Sequence, residues 1–289
     1  MQVTFGPQVA RRVLRYELER LCAQAGKTHS EVGERLGTSR VAFTHMITGR
    51  NLPSKPALEI LMGYFGNPDH IPRMLDLLAV AKLKPDQQSS LHHEIETSSS
   101  MNDFELAVGL EAVATGIEVF EPFAINGLLQ TEAYARELIS YHASITHGVD
   151  IQRSMALRMR RQNVVTRDES PAELWCVAEE QVLRRPVGGP AVMVEQLDHL
   201  LEVTRRPNIN FQVIPCDIGI HPALKGAFVL LTFEDDWRVA YQETRRSAYY
   251  YDSPADVEDY GKIMNHLRHL ALNPRKSRVL ISKIRKETA

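Results

Sequence analysis

At 289 residues, with 44% hydrophobic and 24% charged side chains, the chain has the composition of a folded protein of one large or two ordinary domains. Its longest apolar runs, such as residues 227–233, are too short to cross a bilayer, and residues 1–6 carry no basic-then-apolar leader pattern. The net charge of −2 conceals a division: residues 1–84 carry 12 Lys and Arg against 7 Asp and Glu, whereas residues 85–267 carry 15 against 28. A basic head on an acidic body is the pattern of a phosphate-binding module joined to a domain that does not bind phosphate.

In chain order, Pro7 suits a first helical turn, and the apolar rhythm Val9, Val13, Leu14, Tyr16, Leu18 and Leu21 predicts a helix ending at Gly26. Thr28, followed three residues later by Glu31, predicts a capped helix over 29–36. Gly37 ends it with a positive φ, and Ser39 caps a third helix running to Ile47. Lys55-Pro56 opens a fourth helix to Tyr64, and a fifth covers 69–82. Five short helices without a strand pattern make residues 1–84 an all-α domain, and the polar stretch 85–101 reads as a linker. Beyond it, helices are expected at 103–114, 131–141, 151–165, 190–203, 254–272 and 274–285. Strands are expected at 116–120, 173–178, 209–214, 227–233, 238–242 and 247–251. Short polar breaks between the last three strands point to an antiparallel meander, so residues 102–289 are read as an α+β domain with an antiparallel sheet. The final stretch, 268–289, is basic again, with seven Lys and Arg against one Glu.

Residues 28–50 carry the most specific pattern. Val32 and Leu36 point inward from one helix, Phe43 and Met46 from the next, and the small Gly33 permits their close approach. Gly37 turns the chain so that the second helix projects its N-terminal half outward, and an α-helix presented in that way fits the major groove of B-DNA. This segment resembles the XRE-type, phage-repressor-like helix-turn-helix over residues 7–82. The resemblance implies that Arg40, Val41 and His45, with Thr44 beside them, read bases. Arg40 suits bidentate pairing with guanine, and Val41 suits contact with a thymine methyl. It also implies phosphate contacts from Ser39, Arg50, Asn51 and Lys55, assisted by Lys27 and Arg11. His29 stands where the family commonly has Gln at a phosphate contact, and Ile47 stands where it commonly has an internal Glu.

Within residues 104–283, the stretches 127–131, 158–162, 179–186, 196–197, 213–215 and 226–228 resemble the C-terminal domain of actinobacterial WhiJ-like regulators. Asn126 replaces a proline usual in that group. The resemblance implies a small partner protein encoded nearby, in an arrangement likened to toxin–antitoxin pairs. An antitoxin-like interaction module is therefore the alternative to a ligand-sensing regulator.

No catalytic pattern is found. Gly188-Gly189-Pro190 lacks the lysine of a phosphate loop, no Gly-x-Ser-x-Gly elbow exists, and His92-His93 falls in the linker. His266 and His269 have no third ligand, and Cys22, Cys176 and Cys216 are too scattered for a metal or disulfide framework. The domain therefore reads as non-enzymatic, without cofactor or metal. Arg158, Arg161, Glu179 and Glu180 form either a structural ion-pair network or the charged part of a regulatory pocket. Trp175 and Tyr250 are either sheet core or its aromatic lining. The expectation is a cytoplasmic regulator that binds double-stranded DNA as a homodimer and responds to a small-molecule effector or a partner protein, with no role for a membrane.

Overall fold

The computed structural model describes residues 2–4, 7–48, 50–82, 103–146, 149–234, 236–244 and 247–289. The linker expected at 85–101, with His92 and His93, lies outside the described residues. No described helix is long and apolar enough to cross a membrane.

Two compact units divide the chain, one formed by residues 1–113 with 241–254 and the other by 114–240 with 255–289. In the first unit, α1 (Pro7–Gln24), α2 (His29–Arg35), α3 (Arg40–Ile47), α4 (Lys55–Tyr64) and α5 (Ile71–Ala81) lie close to their expected positions, and a 3-10 turn at Pro68–His70 precedes α5. Burial follows the helical period. Val9, Val13, Leu14, Leu18 and Leu21 of α1 are buried where α1 packs on α5 with its buried Met74, Leu77 and Leu78, and α5 in turn packs on α4 with its buried Leu58 and Leu61. Arg11 donates from Nε to the carbonyl of Ala81 at 2.8 Å, supplying one of the carbonyls that end α5 with a partner.

Two parts of this unit are not local in sequence. The helix α6 (Asp103–Val113) packs on α1, where a Cβ at Gly109 would stand 3.3 Å from the Tyr16 ring. The strand β1 (Gln2–Thr4) pairs in parallel with β7 (Ser247–Tyr251), Val3 opposite Ala248. Tyr241 stacks on Tyr250 at 5.4 Å and donates its hydroxyl to the buried Glu111 at 2.8 Å.

The second unit is the expected α+β domain. Its sheet runs β5 (Phe228–Thr232), β2 (Gly116–Glu121), β3 (Glu173–Glu179), β4 (Ile209–Ile214), with β2 antiparallel to β5 but parallel to β3, and β3 parallel to β4. The parallel side adds to the antiparallel pairing that strand spacing alone led one to expect. Helical crossovers explain it, because parallel neighbours need long connections. Here α7 (Glu132–Ile145), α8 (Ile151–Arg161) and α9 (Asn163–Thr166) join β2 to β3, and α10 (Glu180–Arg184) and α11 (Pro190–Val203) join β3 to β4. Strand β6 (Arg238–Glu243) follows β5 after a tight turn in which Phe233 N–H donates to the Trp237 carbonyl at 3.0 Å.

One face of this sheet carries Phe120, Val177, Ile214 and Phe228 against Met264 and Leu267 of α12 (Pro254–Leu270). The last helix, α13 (Pro274–Thr288), rests on α11 and β4 through the buried Ser277, Ile281 and Ile284.

Candidate nucleic-acid interface

The geometry of α2 and α3 is set locally. The Thr28 hydroxyl accepts the Glu31 N–H at 3.3 Å, and the Glu31 carboxylate accepts the Thr28 N–H at 2.8 Å and its hydroxyl at 2.7 Å. The Thr28 backbone bond is the leading cause that holds the Glu31 carboxyl below its ordinary pKa, seconded by the hydroxyl. Gly37 takes φ +64°, and Ser39 then caps α3 by accepting the Ala42 N–H at 3.1 Å. A Cβ on Gly33 would lie 2.9 Å from both Arg40 N and the Ser39 carbonyl carbon, so only glycine lets α2 rest against the start of α3.

Inside the pair, Val32 and Phe43 are fully buried, while Leu36 and Met46 are half-buried. Ile47 takes the inward place expected of Met46, because it follows Phe43 by a full turn. The His29 ring meets Phe43 edge-on at 5.4 Å, and its Nδ1 lies 3.5 Å from the Thr44 hydroxyl.

The outer face of α3 forms a shallow groove of about 390 Å³ lined by Arg40, Val41, Thr44, His45, Thr48 and Arg50. Val41 is 59% exposed, an apolar side chain held in water at the helix start. Arg50 places Nη1 3.5 Å from His45 Nε2. Asn51 and Lys55 are exposed beside the groove, Asn51 tied by its N–H to the His45 carbonyl at 3.1 Å and Lys55 opening α4. Ser39 uses its oxygen in capping, which leaves its hydroxyl proton available as a donor. Arg11 is held at the end of α5, and Lys27 lies over the Tyr64 ring at 4.9 Å. Thr48 was not among the expected contacts, although its spacing of four and eight residues from Thr44 and Arg40 places it on their face. Arginine, threonine, histidine and one exposed methyl-bearing side chain are hydrogen-bonding and apolar groups of the kinds able to read base edges.

Residues 13–71 match a helix-turn-helix domain, and residues 104–283 match a family described as a domain of unknown function, DUF5753. The chain belongs to the DUF5753 family. Its helix-turn-helix domain marks it as a DNA-binding regulator. No curated protein and no solved structure matches it.

The DUF5753 segment is not confined to the second unit, since α6 and β7 both fall within it and both belong to the unit that holds the helix-turn-helix. Inside the second unit, three stretches singled out in the sequence converge on one buried turn. Gln196, fully buried, accepts the Thr131 N–H at 2.7 Å and donates to the Leu129 carbonyl at 2.8 Å. Gln162 donates to the carbonyls of Gly127 at 3.2 Å and Gln130 at 2.7 Å, and Gln130 donates to the Ile125 carbonyl at 2.6 Å. Asn126 accepts the Leu128 N–H at 2.9 Å, a bond that a proline side chain has no oxygen to make. These residues satisfy the backbone of a turn that water does not reach.

The residues considered for a regulatory pocket hold separate partners. Arg158 donates to Gln130 at 3.4 Å and covers Gly127, whose added Cβ would stand 2.6 Å from Arg158 Nη1; Arg161 lies half-buried one turn further along α8. Glu179 meets the buried His221 at 2.7 Å, and because His221 Nδ1 accepts the Ala223 N–H, its Nε2 carries the donated proton. Glu180 accepts from Arg184 at 2.7 Å. Trp175 donates to Gln212 at 2.6 Å beneath the Arg268 guanidinium, 4.0 Å from the ring. Tyr250 belongs to the first unit, on Tyr241.

Proposed function

We propose that this DUF5753 protein is a cytoplasmic, sequence-specific transcription regulator of the XRE type, acting as a homodimer on an inverted-repeat operator. The observation that carries the reading is the outward row Arg40, Val41, Thr44, His45 and Thr48 on a helix capped by Ser39 and seated against Gly33. Arg40 pairs with a guanine, Val41 meets a thymine methyl, and Thr44 and His45 each add a single hydrogen bond. Arg50, Lys55, Asn51, Ser39 and the partly buried His29 serve the phosphates. One such helix covers too little DNA for tight specific binding, so two copies read half-sites about 34 Å apart or a multiple of it. The acidic body, with 28 Asp and Glu against 15 Lys and Arg over residues 85–267, serves regulation rather than DNA contact. It responds to a small effector or to a small partner protein, as the likeness to WhiJ-like regulators implies. An antitoxin-like role, neutralising that partner while controlling its own operon, is the second reading.

The test is binding of purified protein to fragmented genomic DNA, repeated with Arg40→Ala. Enrichment of a short inverted repeat by the wild type, absent in the variant, is the expected result. Failure of both to enrich any sequence defeats the regulator reading.

A further inference from the structure

A second basic surface lies outside the helix-turn-helix. Along α13 runs an open groove of about 760 Å³, lined by Leu201 of α11 and by Pro274, Arg275, Arg278, Val279, Ser282, Lys283 and Lys286. Four of those residues are cations and none is a carboxylate. Of the acids nearby, Asp198 is held by two nitrogens of the Arg285 guanidinium at 2.9 and 2.8 Å and Glu287 by Arg184 at 2.9 Å, while the groove cation Lys283 makes a looser ion pair, 3.8 Å from the other oxygen of Glu287. Arg278 donates to the Thr204 carbonyl at 3.2 Å, while Arg275 and Lys286 are exposed and make no ion pair among the described residues.

The helix that carries them is fixed. Asn273 caps it by accepting the Lys276 N–H at 2.9 Å, and Ser277 accepts the Val213 N–H at 3.0 Å while donating to the Leu272 carbonyl at 3.1 Å. The cations therefore stand at set intervals rather than on a mobile tail. From Arg275 to Lys286 the helix rises about 16 Å, the axial length of roughly five phosphates of one DNA strand.

We propose that this face of α13 binds the phosphate backbone of a nucleic acid, as a contact additional to the recognition helix and independent of base sequence. A row of cations along an open groove matches a linear polyanion, whereas a compact anion needs an enclosed site.

The experiment measures affinity of the full-length protein for random-sequence duplex DNA across a salt series. Arg275→Glu/Lys286→Glu is expected to bind more weakly and to flatten the slope of log K against log salt by about two, one unit for each phosphate that is no longer neutralised. Arg160→Glu/Lys225→Glu makes the same change in net charge at exposed residues outside α13 that do not line the groove, and is expected to keep the wild-type slope. Thermal melts establish that each variant folds. If the groove variant keeps the wild-type slope, or if the control flattens it equally, the proposal is overturned and the groove belongs to an acidic protein or to nothing. Arg40→Ala/Arg50→Ala in parallel separates the two readings: weakened binding in the groove variant alone condemns the recognition helix, and weakened binding in this variant alone condemns the groove.

Discussion

Gln196 on α11 accepts the backbone N–H of Thr131 at 2.7 Å, joining residues 65 apart in sequence at a position fully out of water. Its other amide group takes the Leu129 carbonyl, so one side chain satisfies both arms of a buried turn. Replacing Gln196 by Ala leaves both backbone groups without a partner, at about 1–3 kcal/mol for each. Gln196→Ala is expected to lower the midpoint of urea unfolding without lowering the affinity of the surviving folded protein for DNA. An unchanged midpoint would show that water replaces the amide.

Gly33 offers the sharpest test of the helix-turn-helix geometry. An alanine there puts its methyl carbon 2.9 Å from backbone atoms of Ser39 and Arg40, which cannot rotate away as a side chain can. The expected cost is about 1–3 kcal/mol of stability from overpacking, together with a tilt of α3 that weakens DNA binding. Titration of operator DNA with Gly33→Ala at a temperature where it remains folded checks this, and wild-type affinity would count against the seating of α3 on α2.

Arg73 of α5 reaches Glu17 of α1 at 3.3 Å, with side chains 7% and 5% exposed, and Arg20 adds a second contact to Glu17 at 2.6 Å. Removing one partner of so buried a pair typically costs about 3–5 kcal/mol, whereas replacing both partners by apolar groups is often near neutral. Glu17→Ala is therefore expected to destabilise the first unit strongly, and Glu17→Leu/Arg73→Met to recover most of that stability. Calorimetric melts of the two variants decide the matter; equal melting temperatures would remove the buried charge as the cause.

His199 on α11 is half-buried, and desolvation pulls its pKa below 6.5 while Glu195 partly opposes the shift. The folded state therefore resists a proton that the unfolded chain accepts. Stability is fully present above pH 6.5 and falls as pH drops below it, since the unfolded state binds more protons there. Denaturant midpoints measured from pH 7.5 to 5 should decline less steeply in His199→Gln than in the wild type, and parallel declines would place the acid sensitivity elsewhere.

The outer face of α3 was legible in the sequence because everything that builds it acts over a few residues. Thr28, Glu31, Gly37 and Ser39 cap and turn the chain within four positions of the bonds they make, and Arg40, Thr44 and Thr48 recur at the period of a helix. Met46 and Ile47 mark the margin of that legibility, since adjacent apolar residues on a short helix differ by only about 100° and the packing partner chooses between them. The six residues grouped as a pocket were not separable in this way. Arg158, Glu179 and Trp175 each have side chains suited to several partners, and only the tertiary fold assigns them to Gln130, His221 and Gln212.

By itself, then, the sequence determined the helix-turn-helix, its caps and its exposed row, together with the α+β character of residues 102–289. Only the tertiary structure decided that β1 pairs with β7, that α6 and residues 241–254 belong with the first unit, and that β2, β3 and β4 run parallel. It likewise brought Gln130, Gln162 and Gln196 to one turn and aligned four cations in a groove on α13. The physical reason is the range of the forces. Capping and periodicity are local and leave their mark in neighbouring residues, while strand partners and buried hydrogen bonds are chosen by chain closure over tens of residues, where many pairings are compatible with the same local pattern.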